Sequence, residues 1–178
     1  MRVQMMVAAA GLMVSGMAMG QAAAPAGPSG PAAEVQRAYA AQKDNILKTA
    51  ERMPEANYQY KPTPEVRTFA RVLNHITEAQ ARSCGVANHA APADFVKTPA
   101  DTADKATIIA ALKATFVECD KAFAATTDAN FTEMFTVGKN TRSRAGFMWG
   151  TVSHDNEQYS TLAMYLRLKG LVPPSSEK

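Results

Sequence analysis

The sequence has few of the features that identify a common catalytic or binding class. It has two cysteines in 178 residues, too few for a disulfide-rich scaffold or a four-thiolate zinc site. Lysine and arginine number 19 against 16 acidic residues. This slight basic excess argues against a dedicated DNA-binding protein, which concentrates its positive charge on one face. Ten glycines and ten prolines are near the average and exclude a collagen-like repeat.

Several sequence motifs are also absent. No GxSxG, HExxH, GxxxxGK[ST], GxGxxG or CxxCH pattern occurs, which excludes the readily recognised serine hydrolases, zinc proteases, nucleotide-binding folds and c-type haem proteins. The length corresponds to about one domain. A composition of 47% hydrophobic and 20% charged residues is ordinary for a globular protein. The sequence therefore predicts one small globular domain.

The first twenty residues have the pattern of a secretory signal peptide. Arg2 gives a positive start, and an apolar run from Met5 to Met19 is broken only by glycine and serine. Ala18 and Gly20 place small residues at positions −3 and −1 of a cleavage site. The run is shorter than the ~20 apolar residues of a spanning helix. We therefore expect a bacterial protein exported to the periplasm or the medium, with no membrane anchor after cleavage.

Two further segments are expected to lie outside the folded domain. Residues 21–33 are rich in alanine, proline and glycine without periodicity, as in a flexible linker. Residues 175–178 follow Pro173 and Pro174 and are predicted to form a short tail. The folded domain is then expected to span residues 34–174.

Four helical patterns fill this domain. Apolar residues recur at three- and four-residue spacing over four segments, about 34–53, 68–88, 105–125 and 142–169. Thr68 is a good N-cap, and Gly170 is a stop signal. Each helix has a wide apolar face but none is apolar all round, so the four faces should pack together. The predicted fold class is all-α, a four-helix bundle. Residues 131–137 are expected to form at most one short strand.

Histidine and glutamine side chains supply the candidate metal ligands. His75 and His154 lie in the middle of the second and fourth predicted helices, and Gln158 lies one turn after His154 on the same face. Imidazole is the commonest protein ligand for metals, and facing helices of a bundle can build a metal site. His89 would lie ~21 Å along a continuous helix from His75, too far to share an ion. Hydrogen-bonded core histidines are the alternative interpretation.

Two acidic residues flank His154. Asp155 points about 100° away from it on one side of the helix, and Glu157 points about 60° away on the other side. We expect both to lie on a solvated helix face. Alternatively, Asp155 could accept a hydrogen bond from an imidazole and orient it.

Two stretches of the sequence resemble the DinB family, a set of four-helix-bundle proteins related to thiol-dependent transferases of bacteria. They are KDNILKTAERMPEANYQYKPTPEVRTFARVLNHI and SHDNEQYSTLAMYLRLKGLVPPS, and the resemblance covers about residues 34–174. It implies a divalent-metal site with three histidine ligands, of which two carry over to His75 and His154. The third position is Gln158. The resemblance thus implies a degenerate His/His/Gln site that binds nickel or zinc weakly or has lost its metal.

Two functions follow from this resemblance. The first is an exported, metal-dependent hydrolase or thiol transferase that acts on a small molecule. The alternative is a non-enzymatic binding or stress-related module that keeps the DinB fold without metal. No nucleic acid is expected as a partner, and a homodimer is left open.

The two cysteines pose a separate question. An oxidising compartment and an even number of cysteines favour a disulfide between Cys84 and Cys119. The second and third helices, however, are expected to be antiparallel neighbours. In that arrangement Cys84 and Cys119 would lie at different depths, which opposes pairing. A disulfide and two buried thiols both remain open. A catalytic thiol is disfavoured because nothing basic lies clearly beside either cysteine.

Export can be tested by the mass of the mature chain. Periplasmic protein should begin near Gln21, and its net charge should fall from +3 by one, because Arg2 is the only charged side chain removed. Intact-mass spectrometry of the periplasmic fraction measures this directly. Recovery of the uncleaved chain from the cytoplasm would contradict the predicted export.

Overall fold

The structure, a computed structural model, describes residues 29–177. The predicted signal peptide, 1–20, and residues 21–28 of the predicted linker lie outside the described residues. The described part contains four long helices, α1 Pro31–Arg52, α2 Phe69–Ala87, α3 Lys105–Ala124 and α4 Arg144–Leu168. The all-α four-helix bundle is confirmed. Within this part of the chain, none of the helices is apolar over a length that would span a bilayer.

Side chains cap the starts of three helices and fix their bounds close to the predicted ones. The caps are Thr68, Asp104 and Ser143, each of which accepts the backbone N–H three residues later, at 3.1, 2.7 and 3.1 Å respectively. Such a cap satisfies one of the backbone donors left free at a helix start. Thr68, the cap expected from the sequence, is confirmed in that role.

The first helix begins three residues earlier than expected and includes the last three residues of the predicted linker. Pro31 occupies its first turn, where a residue without an N–H costs nothing. The N–H of Ala32 donates to Asp128 Oδ1 at 2.8 Å. Gly30, with φ 108°, leaves room for this carboxylate, which a Cβ would approach to 2.1 Å. The cap comes from a residue distant in sequence, so a local pattern could not show it.

The expectation that α2 and α3 are antiparallel is wrong. Asn74 near the start of α2 contacts Asp101 just before α3, whereas Cys84 near the end of α2 meets Cys119 late in α3. The two helices therefore run parallel. The connecting residues 88–104 make this arrangement accessible, because an extended segment of that length reaches about 55 Å and α2 is only ~28 Å long.

Two other pairs of neighbouring helices, α1 with α3 and α2 with α4, are antiparallel. Between α1 and α3, Gln36 bonds the carbonyl of Phe123 and Lys113 pairs with Glu51. Between α2 and α4, His75 meets His154 and the OH of Tyr165 donates to the carbonyl of Arg67. It follows that α1 and α4, which also pack on each other, are parallel: they run one way, and α2 and α3 run the other.

The core lies where the four helices meet. Its largest fully buried side chains are aromatic and aliphatic residues from all four helices and the turn after α1: Tyr165, Phe69, Phe116, Ile46, Met53, Leu73, Ile76, Ile108, Leu112, Met148, Leu162 and Leu166. Tyr39 of α1 stacks on Phe123 of α3 with ring centroids 3.9 Å apart. This packing prevents the helices from sliding along one another.

A β-hairpin precedes α4, where the sequence analysis expected at most one strand. Strand β1 Met134–Val137 pairs antiparallel with β2 Asn140–Ser143. Gly138, with φ 61°, occupies the first position of the two-residue turn, which favours glycine. Arg144 fixes the hairpin to α4: its guanidinium bonds Glu133 Oε2 at 2.6 and 2.8 Å. The hairpin was not predicted because its strands are short and β2 consists of polar residues only.

The C-terminal residues described pack against the bundle, and the expectation of a tail from 175 is wrong for 175–177. Pro174–Ser176 form a 3₁₀ turn. Tyr159 OH donates to Ser175 Oγ at 2.7 Å and accepts the N–H of the same residue at 3.0 Å. Arg52 of α1 pairs with Glu177. Two distant helices thus hold the segment, a contact that local sequence does not reveal.

The sulfur atoms of Cys84 and Cys119 lie at disulfide distance, with Cα atoms 4.9 Å apart. The depth difference that opposed pairing rested on antiparallel helices. In the parallel arrangement the two cysteines are level, and both are fully buried.

Formation of this disulfide stays a prediction. The bond would close a loop between residues 35 apart, for which the chain-entropy model gives roughly 4 kcal/mol of stabilisation. Non-reducing peptide mapping should recover the linked pair, and reduction should lower Tm. A Cys84→Ser/Cys119→Ser variant serves as the control, because its Tm should not respond to reductant. Two free thiols in freshly isolated periplasmic protein would overturn the prediction.

Candidate metal centre

Two imidazoles face each other across the α2–α4 interface. The Nε2 atoms of His75 and His154 lie 3.1 Å apart, and one imidazole donates a hydrogen bond to the other. The ring centroids are 4.9 Å apart in an edge-on arrangement. About a quarter of each side chain is exposed, 27% for His75 and 24% for His154, so small solutes can reach the pair. The structure therefore brings together two of the three predicted ligands.

The nitrogen pair fits two positions of a divalent-metal site. Two nitrogens bound to one zinc ion at 2.0–2.1 Å, with an angle between 90° and 109°, are about 2.9–3.4 Å apart. The observed separation of 3.1 Å lies within that range. Imidazole nitrogen suits nickel and zinc. Within residues 29–177 no third histidine, cysteine or carboxylate joins the pair in a metal-binding cluster.

Gln158, the third predicted ligand, lies one turn further along α4. Its side chain is 6% exposed and lines a separate cavity of about 670 Å³ with Arg67, Val72 and Met164. Among the described residues, no hydrogen bond links its amide to either imidazole. Its predicted role as a ligand stays a prediction.

His75 is surrounded by charged groups of α2. Its Nδ1 lies 3.8 Å from Glu78 Oε2, and that carboxylate is held by two hydrogen bonds of 2.7 and 2.8 Å from Arg71. Partial burial, with Arg67 close by, lowers the pKa of His75. The imidazole is therefore uncharged at neutral pH, which is the form that binds a metal.

Asp155 does not lie on a solvated face, and that expectation is wrong for this residue. It is fully buried, and burial raises the pKa of its carboxyl. The pattern misled because α4 is covered on two sides, by α1 and by α2. Glu157 is exposed, as expected.

The position of Asp155 revives the alternative of an orienting acceptor. Its Oδ1 lies 3.7 Å from Nδ1 of His154, slightly beyond hydrogen-bond distance. In the described part of the chain both atoms are buried without a hydrogen-bond partner. A small movement would let Nδ1–H of His154 donate to the carboxylate. That bond would leave Nε2 as the free lone pair, the arrangement typical of metal-bound histidines.

A layer of buried polar side chains supports this carboxylate. Asp155 Oδ2 accepts from Gln80 Nε2 at 2.8 Å, and Gln80 Oε1 accepts from Thr115 Oγ1 at 2.9 Å. One turn along, the hydroxyls of Ser83 and Thr151 lie 2.8 Å apart. This layer was not predicted from the sequence. Gln80 falls on the apolar stripe of α2, and a polar residue at such a position could have indicated a buried partner.

A cavity of about 250 Å³ opens beside His154. His154, Asp155, Gln80, Ser83 and Thr151 line its inner part. His89 lies elsewhere: it is 5.2 Å from the ring of Phe135 and 3.4 Å from Glu133. Its exclusion from the site agrees with the distance argument from the sequence.

Comparison with known proteins assigns this bundle to a family. A profile of the DinB superfamily matches residues 23–162. The chain belongs to the DinB superfamily. A search of curated proteins found no significant match.

Solved structures, among them two of DinB-like proteins, share the fold. One from Bacillus subtilis is 14% identical, with a TM-score of 0.62 over 77% of this chain and 92% of its own. One from Bacillus cereus is 16% identical, with a TM-score of 0.62 over 79% and 93%. A conserved protein from Enterococcus faecalis is 13% identical, with a TM-score of 0.61 over 76% and 95%. At these identities the similarity establishes the DinB fold and no particular reaction.

The buried pair of Gln80 and Asp155 yields a stability prediction for this DinB bundle. Gln80→Leu removes the amide that donates to Asp155 Oδ2 and should lower the free energy of unfolding by about 2 kcal/mol, because the carboxyl loses its remaining partner. Gln158→Leu is the matched control, a buried glutamine without such a bond, and should change stability little. Urea denaturation in the presence of EDTA measures both. Equal effects of the two variants would contradict the structural role of Gln80.

Proposed function

We propose that this exported DinB protein binds a divalent metal, nickel or zinc, weakly through His75 and His154, with Gln158 or water completing the site. We further propose that it acts on a small molecule as a metal-dependent hydrolase or thiol transferase. The single observation that supports this most is the 3.1 Å separation of the two Nε2 atoms. The pair is also solvent-accessible, and His154 lines a cavity, as a reacting centre requires.

The chemistry of the proposed ligands explains why we expect metal binding to be weak. Catalytic zinc sites usually have three protein ligands and one open position. Here two imidazoles are in place, and the third family position holds a neutral amide, which is a poorer donor than imidazole to nickel or zinc. A bound ion would supply Lewis-acid polarisation of a substrate atom or a more acidic bound water or thiol.

The protein's own residues have defined tasks in this proposal. With a metal bound, Asp155 would accept the Nδ1–H of His154 and so keep its Nε2 directed at His75. Gln80 holds the carboxylate in place through its 2.8 Å bond. The Ser83 and Thr151 hydroxyls, 2.8 Å apart, offer donors and acceptors to a substrate that enters the cavity.

Export is part of the proposal and is supported by two features. The sequence of residues 1–20 has the three-part pattern of a signal peptide. Cys84 and Cys119 lie at disulfide distance, and disulfides persist mainly in oxidising compartments.

Metal titration tests the proposed site. Calorimetry with nickel and with zinc should show weak binding to the EDTA-treated, dialysed natural protein. His75→Ala and His154→Ala should each abolish that binding, because either change leaves one imidazole. His89→Ala is the matched control and should bind as the natural protein does.

A gain-of-function variant strengthens the test. Gln158→His adds a third imidazole one turn after His154 and should bind nickel or zinc at least ~10-fold more tightly, about 1.4 kcal/mol, with a rise in Tm when metal is added. His154→Ala in that background should erase the gain. If Gln158→His binds no better than the natural chain, the three positions do not form a metal site, and the non-enzymatic binding module becomes the better account.

A further inference from the structure

We infer that the cavity beside His154 is the entrance of an anion-binding subsite, in which Arg82 and Arg142 receive a carboxylate or phosphate group of a small-molecule ligand. The inference rests on the proposed function in one respect: it takes this cavity as the path to the histidine pair. It adds the chemical class of the ligand, which neither the fold nor the metal ligands specify.

Two arginines approach the cavity from different elements. Arg82 lies on α2, and Arg142 lies in β2 of the hairpin; both line the 250 Å³ cavity together with His154. The same two residues also line an adjoining cavity of about 440 Å³. Both arginines therefore lie where the two cavities adjoin, and one of these cavities reaches His154.

The position of Arg142 depends on two glycines of α4. A Cβ placed on Gly146 would lie 2.8 Å from Cγ of Arg142, and one on Gly150 would lie 3.1 Å from its Nη1. The side chain of Arg142 thus lies against α4 at two positions where the helix carries no side chain. Its guanidinium carbon is 5.8 Å from the centroid of the Phe147 ring, a cation–π contact that leaves the N–H donors free.

Neither guanidinium is neutralised by the protein. Of the ion pairs formed within residues 29–177, none includes Arg82 or Arg142. The acidic residue nearest to them in the cavity lining is Asp155, which is fully buried and bonded to Gln80. Other arginines differ: Arg71 and Arg144 each hold a glutamate. Two arginines without acidic partners at one cavity form a site for an oxyanion, since the guanidinium fork matches carboxylate and phosphate geometry.

The lining residues differ in solvent exposure between the opening and the interior of the cavity, and this difference indicates how a ligand is oriented. Arg82 and Arg142 are exposed, whereas Thr151 is 4% exposed and Gln80 and Asp155 are fully buried. The positive charges lie at the opening, and buried hydrogen-bonding groups, among them the Asp155 carboxyl held by Gln80, lie inside. A ligand therefore binds with its anionic group at the arginines and its uncharged part towards His154. The cavity of about 250 Å³ corresponds to about eight water-sized groups, so the ligand is a small molecule.

Anion binding to the EDTA-treated protein tests this inference separately from metal binding. Succinate and inorganic phosphate are titrated at constant ionic strength, with NMR detection of the arginine Nε–H signals, and uncharged succinamide is the control probe. We expect saturable binding of at least one of the two anions and none of succinamide. The anion that binds more tightly distinguishes a carboxylate ligand from a phosphate ligand.

Four variants complete the test. Arg82→Gln and Arg142→Gln should each weaken binding at least about tenfold, the loss of one charge-assisted hydrogen bond. Arg142→Lys keeps the charge without the fork and should fall between. Arg167→Gln removes the same charge far from the cavity and should have no effect.

The inference is overturned if neither anion saturates, if succinamide binds equally, or if Arg167→Gln weakens binding as much as the cavity variants. Loss of metal binding with retained anion binding would reject only the metal proposal.

Discussion

The register of α2 against α4 is the constraint on which the site depends. One antiparallel alignment sets His75 against His154, Gln80 against Asp155 and Ser83 against Thr151. A shift of one turn, ~5.4 Å, would break all three contacts and bury Asp155 opposite an apolar side chain. Because an unpaired buried carboxyl is costly, the polar layer selects this register, and the histidine pair follows from it.

Much of the fold was predictable because its signals are local. Apolar periodicity and the Thr68 cap located the helices to within about three residues, and His75 and His154 were recognised as a pair from their positions on two facing helices. The parallel course of α2 and α3 was not predictable from such signals. It depends on how the long connection returns along α2, which is decided by contacts such as Asn74 with Asp101.

The parts of the site that sequence reasoning missed depend on tertiary contacts. Asp155 looks like a surface residue in sequence, and only the packing of α4 between α1 and α2 buries it. Arg142 reaches the cavity because a hairpin folds its strand back towards α4, where Gly146 and Gly150 leave space. No pattern within one helix contains that information. The proposed site therefore combines a histidine pair from two helices with two arginines, one of which comes from the hairpin.

The central claim is that the two Nε2 atoms share one metal ion. Anomalous diffraction from crystals of the natural protein grown with nickel or zinc tests this most directly, because the peak locates the ion without reference to affinity. The account predicts one peak within about 2.0–2.1 Å of Nε2 of both His75 and His154. A peak at His89 alone, or no peak between the paired imidazoles, would contradict the account.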